Sequence, residues 1–234
     1  MSLDIYVMPL HLYFTGKFLS PIQQLLGAQM GDKIKTIRLG GELNDNAETA
    51  KAKVRALQET LASFTKMPIE WKDEGEVVFG EQFNYFSWHA LRAFAAHTEY
   101  PTRSFILRRP QPFVLDATPE RHPGVAQIWQ GAESKFRHLI VHADNCGFYF
   151  PCDFPKPKRL LAQTGVLTGS SIRLLAELNQ LQGPLQMTGD QNASSGNQLQ
   201  SASDPLKEIK YAWSRLHNAA QLSVDHCLPI VFDG

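Results

Sequence analysis

Both ends of the chain read as β-strands, and nothing else in the sequence constrains the fold as much. At the start, Leu3, Ile5 and Val7 alternate with Asp4, Tyr6 and Met8, and Leu228 to Phe232 is an apolar run at the close. A period of two marks a strand with one buried face. A sheet that takes in both ends is therefore expected, with the rest of the chain packed around it.

Between the ends, apolar residues recur at helical spacing. Asn44, Asp45 and Asn46 offer caps for a helix from Ala47 to about Lys66, whose Val54, Leu57, Leu61 and Phe64 form one stripe. A second helix is expected from Phe83 to Thr98 with Trp88, Leu91, Phe94 and Ala95 inward, and a third around Val125, Ile128 and Trp129. Ser170 or Ser171 caps a helix over Ile172 to Leu181. A final helix follows Asp204-Pro205 and turns Ile209, Ala212, Trp213 and Leu216 inward. Short strands are expected at Lys35 to Leu39, Glu76 to Phe79 and Phe105 to Leu107, with a loop or short helix at Pro21 to Leu26. The Gln-, Asn- and Ser-rich stretch 187–203 carries too little apolar surface to offset its ordering entropy and is expected to be a mobile loop. The reading is α+β: a single domain over 1–234, with four or five helices packed on a small, mainly antiparallel sheet.

Composition sets limits on function. Lysine plus arginine equals aspartate plus glutamate at 23 each, so no net field draws a polyanion. The small basic clusters at Arg103, Arg108 and Arg109, and at Lys156, Lys158 and Arg159, fall short of a phosphate-tracking stripe. Nucleic acid is set aside as a partner on this ground. No apolar run approaches the ~18 residues a membrane span needs, and no signal peptide is apparent. Three cysteines is an odd count, which reads as reduced thiols in a cytoplasm.

Chemistry concentrates in Arg137 to Phe154, which holds two histidines, two aspartates, two cysteines and four aromatics in 18 residues. The run reads as a hairpin: strand Phe136 to Ala143, a turn at Asp144 to Gly147, strand Phe148 to Cys152. In a strand, four residues put His138 and His142 roughly 13 Å apart, too far for one ion with bonds near ~2 Å. No metal and no cofactor is expected. His142 near the end of the first strand and the turn residues Asp144 and Cys146 are the candidates for catalysis, and His138, Tyr149 and Asp153 for binding. The plainer alternative makes the turn an Asx-type one, with Cys146 as filler. His89 and His97 lie eight apart on a helix, ~12 Å by rise, and cannot share an ion. The chain has no G-x-G-x-x-G, Walker loop, G-x-S-x-G, H-E-x-x-H or calcium loop.

The start MSLDIYVMPL and the segment HLIVHADNCGFYFPCDF, followed by GSSIRLLAELNQL, resemble a group of bacterial cytoplasmic proteins with no assigned activity. Those begin M-G/S-L-D-I-Y and carry a segment like L-x-x-H-S-D-C-D-G-Y-Y-x-P. Here Ala143 stands at the serine position and Asn145-Cys146 replaces Cys-Asp, leaving His142, Asp144, Gly147 and Tyr149 as matches. The likeness covers about a quarter of the chain. Two functions remain: a non-enzymatic binding or regulatory protein acting on another protein, of the toxin-neutralising kind, or a hydrolase-like or metal-dependent enzyme centred on residues 142–153. Oligomeric state is left open.

Overall fold

The computed structural model describes residues 2–18, 45–66, 69–102, 111–142, 146–160, 166–187 and 206–234. The expected elements at 21–26, 35–39 and 105–107, the cap at Asp204, the site candidate Asp144 and nearly all of the 187–203 stretch lie outside these residues.

One mixed sheet organises the fold. Its strands are β1 (Ser2–Val7), β2 (Phe79–Asn84), β3 (Cys146–Phe150), β4 (Lys158–Leu160), β5 (Val166–Ser170) and β6 (Ile230–Asp233), in the order β2-β1-β6-β3-β5-β4. The two terminal strands sit side by side and antiparallel, Ile5 opposite Phe232. Among the described strands, only β3 and β5 run parallel. Among the described residues there are seven α-helices, more than the sequence suggested: α1 (Leu10–Thr15), α2 (Ala47–Thr65), α3 (Tyr85–Glu99), α4 (Pro123–Trp129), α5 (Arg137–Ile140), α6 (Ser171–Leu181) and α7 (Lys207–His226).

The period of two sorts side chains to opposite faces of the sheet. Leu3, Ile5, Val7, Tyr149, Ile230 and Phe232 face a core built with α3 to α7. Tyr6, Phe148, Phe150 and Val231 face a second core under α1 and α2. Asn46, Asn84 and Ser170 cap α2, α3 and α6 through their side chains. Val54, Leu57 and Leu61 are buried as their spacing requires, but Phe64 is 52% exposed and Trp129 41%. Phe64 sits on the last turn of α2, with the Lys158 ammonium of β4 over its ring at 5.8 Å.

The hairpin over 136–152 does not form. Residues 137–140 are helical, and β3 pairs with β5 and β6 rather than with its own upstream neighbour. The apolar Leu139-Ile140-Val141 run suits a strand, but buried polar groups from other elements claim its backbone. Tertiary context overrides local β preference here.

Candidate functional site

The 137–154 run lies at the centre of a buried polar hub. Glu177, on the core face of α6, accepts the N–H groups of His138 and Leu139 at 2.9 and 2.7 Å and so caps α5. Arg92, on the core face of α3, closes the other end of α5. Its guanidinium donates to the Ile140 carbonyl at 2.6 Å through Nη2 and at 3.1 Å through Nε. The same guanidinium lies over the rings of Trp88 and Trp129. A cation at a helix C-terminus matches the dipole.

His138 is 1% exposed and its Nδ1 accepts the Ser170 N–H at 3.0 Å, so Nε2 carries the ring hydrogen. Burial lowers its pKa to about 4, against the nearby Pro155 and Phe154 backbone, which favours the proton. Tyr149 is fully buried and donates its hydroxyl to the His138 carbonyl at 2.9 Å. His142, also fully buried, stacks on Tyr149 with centroids 4.1 Å apart. Asp153 is half-exposed and paired with Arg173 of α6. Cys146 lies away from the hub at the other end of β3, opposite Asp233, and burial followed by that carboxylate raises its thiol pKa. Beside it Asp233 faces Asp4 across β1 and β6, with Gln82 and the Tyr6 hydroxyl donating to Asp4.

The hub thus brings His138, His142 and Tyr149 together and leaves Cys146 and Asp153 outside. Its rings fill the space above two glycines. A Cβ on Gly147 would lie 2.4 Å from the His142 ring, and one on Gly169 would lie 2.4 Å from the Tyr149 ring. Gly169→Ala should therefore cost ~1–3 kcal/mol, the usual penalty for overpacking a rigid core. A urea melt checks this, and unchanged stability would mean that the Tyr149 ring is free to move.

Sequence reasoning did not single out Arg92 or Glu177. The signal was present: Arg92 lies one helical turn from Trp88, and Glu177 falls between Leu174 and Leu178 on a buried stripe. A charge on an apolar face marks a buried polar partnership.

Clefts among the described residues lie elsewhere. One of about 370 Å³ is lined by His97, Gln111, Phe113, Asp116, Arg121 and His122. Another of about 490 Å³ lies between α2 and residues 72–74. Among the described residues, no group of three or more His, Cys, Asp or Glu is placed to hold a metal ion. None of their helices is long and apolar enough to cross a membrane.

Carboxylates gather at the surface on residues 69–81. Five acids (Glu70, Asp73, Glu74, Glu76 and Glu81) share that stretch with one base, Lys72. Ile69 and Trp71 are buried, and the Trp71 ring stacks on Phe150 at 4.4 Å, which turns the intervening Glu70 outward. The backbone is pinned by Lys72 N–H to the Cys227 carbonyl at 2.8 Å and Val78 N–H to the Val7 carbonyl at 2.9 Å. Asp73 accepts the His11 N–H at 3.0 Å, and Glu81 pairs with Arg215 of α7. Glu70, Glu74 and Glu76 are exposed, and Lys51 and Arg55 face Glu74 across the cleft beside α2.

Residues 34–232 match the family described as "Putative DNA-mimic protein", and the chain belongs to that family. No curated protein and no solved structure matches it. The match corrects the sequence reading on partners. Nucleic acid was set aside because the net charge is zero, but a DNA mimic presents itself to the proteins that bind DNA. Net charge is a sum over the whole surface, and it does not report how charge is placed.

Proposed function

We propose that this chain binds a DNA-binding protein by taking the place of DNA, with the exposed carboxylates of residues 70–76 forming part of the contact. The family match over residues 34–232 carries the reading. The zero net charge makes the mimicry local. Exposed charges at physiological salt act over a Debye length of ~8 Å, so a pinned row of carboxylates can meet a basic groove while the rest of the surface stays neutral. Pinning matters because contacts presented in their bound arrangement cost less ordering on association. In this reading the protein is a non-enzymatic regulator that works in the bacterial cytoplasm. Neutralising a toxin that acts on DNA is one form such regulation takes.

The sealed hub favours binding over catalysis. His142 and Tyr149, two of the positions shared with the resembling proteins, are packed where no substrate reaches them.

Reversing Glu70, Glu74 and Glu76 together to lysine tests the contact. Immobilised wild-type protein should retain DNA-binding proteins from a bacterial lysate, and the triple variant should lose them while melting at the same temperature. Equal retention by both would contradict the assignment of the surface. Retention of no DNA-binding protein by either would contradict the function itself.

A further inference from the structure

The cleft beside α3 contains a hydrogen-bonded histidine relay, which the hub and the acidic segment do not use. His122 Nδ1 accepts the Gly124 N–H at 3.1 Å, so its neutral ring carries hydrogen on Nε2. That nitrogen lies 3.3 Å from His97 Nδ1 and donates to it, which leaves the His97 hydrogen on Nε2. His97 Nε2 in turn donates to the Gln111 carbonyl at 2.9 Å. Three donors meet three acceptors, all in one direction.

The relay joins two parts of the chain. His97 lies in the last turn of α3, while Gln111 and His122 flank the segment that leads into α4. Phe113 packs edge-on against both Phe94 and His97 at 5.2 and 5.3 Å. Gly124 approaches α3 so closely that a Cβ would lie 3.2 Å from the Ala96 carbonyl oxygen. The relay and this close approach both lie at the junction of α3 with the start of α4.

An added proton cannot be accommodated. It makes four donors for two acceptors, so whichever nitrogen takes it turns one hydrogen bond into two opposed N–H groups. We propose that the His97–His122 relay is an acid-released clasp, holding residues 111–124 on α3 at neutral pH and letting go when either ring is protonated. Among the described residues, no carboxylate is hydrogen-bonded to either ring. Asp116 and Arg121 line the cleft with opposite signs, and Glu120 is exposed on the intervening turn. The Glu99 carboxylate of α3 is engaged by the Ser134 hydroxyl and the Lys135 N–H, and α4 brings no charged side chain. Burial, and then the proximity of His97, lower the His122 pKa, which keeps the clasp closed near neutral pH.

Hydrogen exchange and ring-nitrogen NMR on the full-length protein test the clasp. At pH 7.5 the ring nitrogens should show His122 protonated on Nε2 and bare at Nδ1. If opening takes up one proton, protection of the Gly124 and Val125 amides should fall about tenfold per pH unit as the pH drops below the open-state value of 6.5, levelling off once His122 titrates in the closed form. The Tyr149 and Val231 amides in the sheet should keep theirs over the same range. The double variant His97→Gln, His122→Asn keeps hydrogen-bonding side chains at both positions but removes both titrations, so its Gly124 protection should not depend on pH. A His122 ring protonated on Nδ1 at neutral pH would overturn the proposal. So would protection that is flat in the wild type, or that falls together with the sheet amides.

Discussion

Trp213→Ala should leave the protein largely unfolded or insoluble at room temperature. The indole is 2% exposed on the inner face of α7, and its N–H donates to the Leu178 carbonyl of α6 at 2.8 Å. His217 stacks on its outer side at 4.6 Å. Truncating a buried tryptophan removes ~3–5 kcal/mol, a large part of the ~5–15 kcal/mol that keeps a domain folded. It also strands a backbone carbonyl. Asn46→Ala, which removes only the exposed cap of α2, should cost nearer ~1 kcal/mol. Chemical denaturation of the two variants side by side gives the comparison. Wild-type stability in Trp213→Ala, with loss of an oligomer or partner instead, would make this helix face an interface.

Glu177→Ala should be nearly as damaging for a different reason. It leaves the buried N–H groups of His138 and Leu139 without an acceptor, at ~1–3 kcal/mol each, or about 2–6 kcal/mol together. The same residue sets a pH dependence. Burial pushes its carboxyl up to about 8, against the pull of the two N–H donors. The folded state therefore holds a proton that the unfolded chain releases above about 4.5, and the stability this contributes is lost as pH rises through about 8. His138 acts in the opposite sense. Its folded pKa of about 4 lies below the unfolded 6.5, so its contribution is lost as pH falls below 6.5. The Glu177 and His138 slopes cancel between about 4.5 and 6.5, leaving there only the fall toward acid from His122 and His217, whose burial also lowers their pKa, and stability should decline from 6.5 towards 8. Glu177→Gln should abolish the decline above 6.5 and leave the acid side sloping. Melting temperatures across that range decide it, and an undiminished alkaline decline in Glu177→Gln would place its cause elsewhere.

The parts of the fold that were legible in the sequence are those fixed by local periodicity. The alternation of Leu3, Ile5 and Val7 and the stripes on α2, α3 and α7 give strand and helix with their buried faces. Caps at Asn46 and Ser170 are legible for the same reason, since a cap acts within one turn. The 136–152 segment was misread because its conformation is set from a distance. Glu177 and Arg92, 39 and 48 residues away along the chain, take up the backbone groups that a hairpin would have paired. Pairing of β3 with β5 and β6 is likewise a long-range choice that no local pattern encodes. The acidic stretch at 69–81 was visible as composition, but averaging charge over the chain hid it as a candidate contact. Its exposure depends on Ile69 and Trp71 being anchored against a sheet that sequence alone does not place.

Competition with DNA tests the central claim most directly. A DNA-binding protein captured by this chain should be titrated with the chain in the presence of increasing duplex DNA, reading the amount of each complex. If the chain takes the place of DNA, the two should exclude one another, with the apparent Kd for the chain rising in proportion to DNA concentration. The Glu70, Glu74 and Glu76 reversal variant should then fail to displace DNA. A ternary complex of chain, partner and duplex, with the chain's affinity unchanged by DNA, would contradict mimicry and leave a protein that binds its partner elsewhere.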